Sequence, residues 1–207
     1  MNKTVLAVVG LLVGGIIILG LIAASSYNGF VGLSQSVEQQ WAQVQTVYQR
    51  RADLIPNLVS TVSGAANFEK STLTEITQAR ASVGQVNMGT APTTAADLEK
   101  FQKAQDHLSS ALSRLLVVSE RYPDLKSNSN FLGLQSQLEG TENRISVERQ
   151  KFNEAVGQYN KAVQRFPGVL FAGLFHFQPK PYFTATEGAS TPPKVEFNFG
   201  PTATKPK

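Results

Sequence analysis

The chain has 207 residues, no cysteine, two histidines and a formal net charge of +4. This length suits about one domain beside any membrane segment, because domains typically run to about 100–200 residues. The lack of cysteine excludes disulfides, thiolate catalysis and cysteine metal sites. The mild charge, spread along the chain without a dense basic block, gives no support for nucleic-acid binding.

The first predicted element is an uncharged apolar segment, Thr4–Ala24. As a helix it is roughly 31 Å long, which matches the hydrocarbon core of a bilayer. The alternative is a cleaved signal peptide, with Ala23 and Ser25 as the small residues before the cut. A run of about 20 apolar residues exceeds the roughly 7–15 of a signal peptide, so a permanent anchor through residues 4–24 is favoured.

The charges on either side of this segment indicate its orientation. Lys3 and the terminal amine precede it, whereas the first positive charge after it is Arg50. Since positive residues favour the cytoplasmic side, the N-terminus is expected in the cytoplasm and the body is expected to be exported. Gly10 and Gly14 form a GxxxG pair, which leaves a homo-oligomer open, although chance is the simpler explanation in a glycine-rich segment.

Amphipathic helices are predicted after this segment, because apolar residues recur in steps of three, four or seven. The first helix runs from Phe30 to Val62, and Leu73–Val83 continues it or forms a second piece. Turn-forming residues at Asn87–Pro92 end that stretch. Thr93 or Thr94 can then cap a third helix. The apolar positions of the third helix are Leu98, Phe101, Leu108, Leu112, Leu115 and Val118.

The longest helix is predicted over Asn130–Arg165, after a Ser/Asn-rich loop and a start at one of the residues 128–130. Its apolar positions are Phe131, Leu134, Leu138, Ile145, Phe152, Val156, Tyr159, Val163 and Phe166. The aromatic run Phe166–Phe183 that follows either packs along the bundle or dips into the membrane interface. Further on, Lys194–Phe199 alternates well enough to dock as a short extended piece.

Long amphipathic helices joined by short loops, without a strand pattern before the tail, predict an all-α fold. The expected architecture is an N-terminal transmembrane helix, a long antiparallel up-and-down helical bundle and an irregular C-terminal tail. The domain boundaries are placed at residues 1–26 for the anchor, 27–183 for the bundle and 184–207 for a polar, largely flexible tail.

The polar residues form no recognisable catalytic constellation, and no catalytic residue, metal ligand or cofactor is assigned. His107 and His176 lie far apart and belong to no metal-binding pair. His107 is expected at the helix surface or core edge, and His176 is expected to be packed between phenylalanines. Glu139 and Glu142 are expected on a solvated helix face. The chain is therefore not expected to be an enzyme.

The stretch RRADLIPNLV contains the candidate site residues Arg50, Arg51, Asp53, Pro56 and Asn57. Arg51 falls on the inward side of the helix, where an unpaired charge is costly, so it needs a partner. Pro56 removes one backbone hydrogen bond and clashes with the Ala52 carbonyl, so it is expected to kink or restart the helix. A guanidinium of Arg50 or Arg51 can satisfy the freed carbonyl.

Two interpretations of this patch stay open. In the structural one, its polar groups satisfy one another around a helix kink, with a helix start at Asp53 as a variant. In the functional one, the kink presents its polar side chains to a partner protein or an anionic group. The residues presented are Arg50, Arg51, Asp53 and Asn57.

Several separated motifs together resemble the LemA family. They are YNGFV at 27–31, Trp41 in QQWAQVQ, RRADLIPNLVSTV at 50–62, FEKSTLTEITQARA at 68–81, FPGVLFAGLFHFQPKPYF at 166–183 and PPKVEF at 192–197. The resemblance runs from the membrane segment to about Phe199, and RRADLIPNLV is its most specific part. It implies a single-pass bacterial membrane protein with a mostly helical antiparallel bundle and no established catalytic activity.

We therefore expect a membrane-anchored helical scaffold or interaction protein of the bacterial cell membrane. Its expected partners are the lipid bilayer, through residues 4–24, and an unknown membrane or envelope protein, with no nucleic acid. One alternative is a membrane-associated hydrolase or ligand-binding protein, with a polar site formed by Arg51, Asp53 and a carboxylate of the last long helix. Another is membrane remodelling, in which Val169–Phe177 inserts into the interface.

Overall fold

A computed structural model describes residues 2–64, 68–86 and 89–184 of the chain. Six helices follow one another there: α1 Lys3–Ser63, α2 Lys70–Gln85, α3 Ala95–Ser119, α4 Pro123–Lys126, α5 Ser129–Gln164 and α6 Gly168–Leu174. The four long ones alternate in direction and form an up-and-down bundle, so the predicted all-α class is confirmed. The expected docking of Lys194–Phe199 lies outside the described residues.

Helix α1 is continuous over 61 residues and joins the apolar N-terminal segment to the bundle. It is roughly 90 Å long at 1.5 Å per residue. Its N-terminal part, almost entirely exposed, is long and apolar enough to cross a membrane by length and composition. The helix continues through Pro56, so the expected restart there, including the variant that starts at Asp53, is wrong.

Side-chain caps start α3 and α5 where the sequence predicts them. Thr94 Oγ1 accepts a hydrogen bond from the backbone N–H of Asp97 at 3.1 Å. Asn128 Oδ1 accepts from the N–H groups of Asn130 and Phe131 at 2.9 and 3.2 Å. The first turn of a helix leaves such groups without a helical partner, so these side chains fix where each helix begins.

The core consists of two clusters that follow one another along the bundle. The aromatic cluster, nearer the apolar N-terminal segment, contains Phe30, Val37, Trp41, Val44, Tyr48, Ala91, Leu98, Phe101, Ile145, Phe152, Val156, Tyr159, Val163, Ala172 and Phe183. The aliphatic cluster, at the far end, contains Ile55, Leu58, Val62, Phe68, Ile76, Ala79, Val83, Leu108, Ala111, Leu112, Leu115, Val118, Leu125, Phe131 and Leu138. Helix α2 contributes to the aliphatic cluster alone, because its 16 residues are too few to reach further.

A non-helical segment, residues 177–184, packs along the aromatic cluster, and we call it the strap. Asn160 makes hydrogen bonds of 2.8 Å to both the N–H and the C=O of Lys180. Asn153 does the same for Phe183 at 2.8 and 3.0 Å. The seven residues from Asn153 to Asn160 correspond to a helical rise of about 10.5 Å, and the three residues from Lys180 to Phe183 span about 10 Å when extended. Both asparagines can therefore bind the strap at the same time.

Between α5 and the strap the chain turns through α6, and two expectations fail there. Because α5 ends at Gln164, Phe166 does not join its buried stripe and is 79% exposed. His176 is exposed rather than packed, since it turns the chain into the strap with a φ of 60°. Gly168 lies so close to α5 that a Cβ there would be 2.4 Å from the Ala162 carbonyl oxygen.

Candidate functional site

Arg51 lies inside the bundle, between the two clusters, as its place on the inward side of α1 predicts. Its side chain is 1% exposed. Nη1 donates to Glu142 Oε1 at 2.7 Å and to Ser109 Oγ at 2.8 Å, and Nη2 donates to the side-chain oxygen of Gln105. These partners come from α3 and α5, so one arginine joins three helices. We call the four residues the polar layer.

The polar layer has a defined electrostatic environment. The Arg51 guanidinium carbon is 5.1 Å from the centre of the Tyr48 ring, within the range of a cation–π interaction. Burial raises the pKa of Tyr48, and the charges of Arg149 and Arg51 partly offset that rise. The side chain of Glu142 is 44% exposed, so water reaches the layer on the α5 side. The layer is thus buried at the arginine and open at the carboxylate.

The partners of Arg51 are not predicted from the sequence. Glu142 is solvated as expected but also pairs with Arg51, which was not predicted, whereas Glu139 is exposed as expected. A sequence signal does exist, because the apolar stripes of three helices each contain a step of seven residues beside the polar layer. The steps lie between Tyr48 and Ile55, Phe101 and Leu108, and Leu138 and Ile145. Arg51, Gln105 and Glu142 occupy these three gaps.

Pro56 leaves the Ala52 carbonyl without its helical donor, and a guanidinium replaces that donor, as the sequence predicts. The guanidinium belongs to Arg80 of α2, whose Nε donates to the Ala52 oxygen at 3.2 Å. The expectation that Arg50 or Arg51 fills this role is wrong, because Arg51 points into the polar layer. The proline therefore creates a hydrogen-bonded link between α1 and α2.

The five candidate residues are divided between the core and the surface. Arg51 is buried and the other four are exposed. Three of those four, Arg50, Asp53 and Asn57, line an open cleft of about 1110 Å³ between α1 and the α2–α3 pair. Asp53 Oδ1 accepts a hydrogen bond of 2.7 Å from Gln49 on its own helix. These three side chains do not hold the bundle together, although Arg80 and Gln105, which do, also line the cleft.

The cleft does not assemble the enzyme site considered above. That site needs an arginine with two carboxylates, whereas the described lining contains Asp53 and not Glu142. Among the residues placed in the structure, no group of three or more His, Asp or Glu side chains can hold a metal ion. His107 is exposed on α3, as expected for a surface residue. The arrangement suits binding of a polar surface better than acid–base chemistry.

A second surface lies at one end of the bundle, where α6 packs beside the end of the apolar N-terminal segment. The Tyr27 ring contacts Phe175 and Phe177 edge to face, with centroids 5.2 and 5.6 Å apart. Phe30 contacts Phe177 at 5.3 Å. The outward side exposes large apolar side chains, namely Phe166, Val169, Leu170 and Leu174. The aromatic run thus packs on the bundle with one side and leaves the other side uncovered.

Known proteins are similar to this chain over most of its length. The sequence profile of the LemA family matches residues 40–197. Magnetosome protein MamQ 2 of Paramagnetospirillum magneticum is 25% identical over 185 residues, which covers 80% of this chain and 67% of the relative. Magnetosome protein MamQ of Magnetospirillum gryphiswaldense is 24% identical with the same coverage. Protein LemA of Metamycoplasma hominis is 23% identical over 123 residues, 59% of this chain and 52% of the relative.

Proposed function

The chain belongs to the LemA family, and on this basis we propose that it is a non-catalytic scaffold of the bacterial cell membrane. In this proposal residues 4–24 anchor it, the N-terminus is cytoplasmic, and the exported bundle binds a membrane or envelope protein. The continuity of α1 supports the proposal, because no flexible linker separates the apolar segment from the core. Arg51 is held about 40 Å beyond Ala24, at 1.5 Å per residue.

We assign partner binding to the cleft and a structural role to Arg51. The cleft residues Arg50, Asp53 and Asn57 are exposed, and the hydrogen bond of Asp53 stays within α1. The hydrogen bonds of Arg51 instead join α1 to α3 and α5. A surface that can be changed without disturbing the core is what an interaction site requires.

Crosslinking and affinity capture from native membranes test this proposal. The cleft variant carries Arg50→Ala, Asp53→Ala and Asn57→Ala. The matched control carries Arg144→Ala, Glu139→Ala and Asn143→Ala, which removes the same kinds of exposed side chain from α5. We expect the intact protein and the control to capture the same partner and the cleft variant to lose it, with equal thermal melts for all three.

Two outcomes contradict the assignment. One is capture of the same partner by the cleft variant at the level of the control. The other is a cleft variant that melts far below the control, because the three residues then support the fold rather than an interface.

Membrane remodelling is a second candidate function, because α6 exposes large apolar side chains. It requires the full-length protein to change the shape of vesicles at high surface density, whereas a scaffold leaves them spherical. Electron cryomicroscopy of vesicles carrying the intact protein or the Leu170→Ser, Leu174→Ser variant separates the two functions.

A further inference from the structure

We propose that α6 forms a second contact with the membrane, with its exposed apolar side in the interface of the leaflet from which α1 emerges. The bundle then stands on the bilayer at two points, the α1 helix and α6. This inference rests on the membrane anchor of the proposed function and is independent of the cleft.

The height of α6 along α1 carries the inference. Tyr27 and Phe30 follow the end of the apolar segment at Ala24, and they lie about 5 and 9 Å beyond it along the helix axis. The interfacial region of a bilayer extends about 5–7 Å beyond the hydrocarbon core on each side. Phe175 packs edge to face on Tyr27, and Phe177 packs in the same way on Phe30. The end of α6 is therefore held about 5–9 Å beyond the hydrocarbon core, within the headgroup region and at its outer edge.

The uncovered side of α6 has the chemistry of an interfacial helix. Leu170 and Leu174 are four residues apart, share one helix face and are 63% and 66% exposed. Phe166 and Val169 extend this surface at its N-terminal end. Tyr27 is partly exposed beside it, at the depth where tyrosine is enriched in membrane proteins. Contiguous apolar groups of this kind mark a contact surface rather than a solvated one.

The charges around α6 favour an anionic lipid surface. The sequence from Lys161 to Thr184 contains no aspartate or glutamate. Lys161 and Arg165, at the end of α5 and shortly before α6 in the sequence, are exposed. Basic residues next to an apolar helix face add electrostatic attraction to anionic headgroups. The same surface thus offers apolar groups to the acyl boundary and positive charge to the headgroups.

Gly168 fixes α6 in this position. A Cβ at Gly168 would meet the Ala162 carbonyl oxygen at 2.4 Å and Phe30 Cζ at 3.4 Å. Only a glycine lets α6 approach α5 and α1 so closely, because backbone cannot yield as a flexible side chain does. A Cβ at Gly173, by contrast, would have nothing within 4 Å, so this glycine serves as a matched control.

Site-directed spin labelling of the full-length protein in vesicles tests the inference. The vesicles contain phosphatidylcholine and phosphatidylglycerol, and the chain has no native cysteine to interfere. Single labels are placed at Leu170→Cys and Leu174→Cys. Ile16→Cys reports on the anchor, and Val117→Cys, 71% exposed on α3, reports on bulk water. We expect the ratio of oxygen to nickel-chelate collisions to be several-fold higher at positions 170 and 174 than at 117.

The outcomes separate the inference from the proposed anchor. The α6 contact alone is overturned if the label at position 16 lies in the bilayer while the labels at 170 and 174 have the same collision ratio as the label at 117. If the label at position 16 has the collision ratio of a label in bulk water, both the anchor and the contact are overturned. A third outcome is that the labels at 170 and 174 are shielded from both reagents and show spin–spin broadening that disappears on dilution with unlabelled protein. This outcome shows a second copy of the chain on α6 and also overturns the contact.

A pair of glycine variants gives an independent measurement. Gly168→Ala, with the label at position 170, is expected to lower the collision ratio because α6 must move away from α5. Gly173→Ala is expected to leave the ratio unchanged. Equal ratios for both variants would contradict a contact that depends on how α6 is seated.

Discussion

The two halves of the bundle enclose their cores with different elements. Around the aliphatic cluster α1, α2, α3 and α5 all contribute side chains. A helix supplies partners for most of its own backbone, and at Ala52 Arg80 replaces the missing donor. Around the aromatic cluster α2 is absent and the strap packs in, held by Asn153 and Asn160. A segment without internal hydrogen bonds must find partners elsewhere for its N–H and C=O groups. The half near the apolar segment therefore depends on a few specific polar contacts, and the far half on distributed apolar burial.

The largest expected effect comes from the polar layer that separates the halves. Glu142→Leu leaves the buried Arg51 without its carboxylate and is expected to cost about 3 kcal/mol of unfolding free energy, at the low end for such pairs because water reaches Glu142. Adding Arg51→Met is expected to recover most of the loss, since the two clusters then merge. Urea unfolding in detergent, followed by circular dichroism, measures both. Glu139→Leu, on the exposed side, is the control.

A double variant as unstable as Glu142→Leu alone would contradict this account. The fold would then require the Arg51–Glu142 ion pair itself, and an apolar replacement of both residues could not take its place.

Truncation of Phe183, the buried phenylalanine of the strap, is expected to destabilise the aromatic half of the bundle only. Phe183→Ala should cost about 3 kcal/mol, as truncation of a buried phenylalanine does. Hydrogen exchange should become faster in the aromatic cluster and stay unchanged in α2. Tyr182→Ala, next to it and 44% exposed, should change exchange little. Equal loss of protection in both clusters would show that the halves unfold as one unit.

The strap's hydrogen bonds are expected to contribute less to the unfolding free energy than the Phe183 side chain does. Asn160→Ala removes two hydrogen bonds to the backbone of Lys180 and should cost about 1–2 kcal/mol. The exchange rate of the Lys180 amide should rise, whereas Asn143→Ala, exposed on the same helix, should leave it unchanged. If both variants leave that amide protected, the asparagine does not hold the strap.

The link between α1 and α2 is expected to depend on the proline. Arg80→Ala should cost about 0.5–1 kcal/mol, because the Ala52 carbonyl loses its donor. In a Pro56→Ala background the same change should cost almost nothing, since residue 56 then supplies the helical N–H. A double-mutant cycle by urea unfolding measures this coupling. Equal costs in both backgrounds would show that Arg80 acts through some other contact.

The smallest effect concerns pH and the aromatic cluster. Burial raises the pKa of Tyr48 in the folded protein, above its unfolded value of about 10. The contribution of its neutral hydroxyl is thus fully present below pH about 10 and is lost as the pH rises further. Tyr48→Phe should flatten the fall of the urea midpoint at alkaline pH. An unchanged slope would contradict the raised pKa.

The apolar stripes, the helix caps and the inward position of Arg51 were predictable because the buried positions of a helix recur with the helical period. All the apolar positions assigned to α3 are buried, from Leu98 to Val118. The partners of Arg51 depend on the register between helices, which the local period of a single helix does not contain. Packing of the strap along the bundle was one of the two alternatives for Phe166–Phe183, but the asparagines that hold it were not predicted, because side-chain bonds to a backbone leave no periodic pattern. Helix α6 was not predicted either, since seven residues are too few to show such a pattern.

The continuity of α1 has a mechanical consequence. Transmembrane helices tilt by about 20° on average, and they tilt less in a thicker bilayer. With no proline before Pro56, α1 acts as a lever about 40 Å long from Ala24 to Arg51, and a tilt of about 20° moves its far end sideways by about 14 Å. With residues 4–24 anchored as proposed, the thickness of the bilayer sets where the cleft stands above it, so a change in lipid composition shifts the position of a surface outside the membrane.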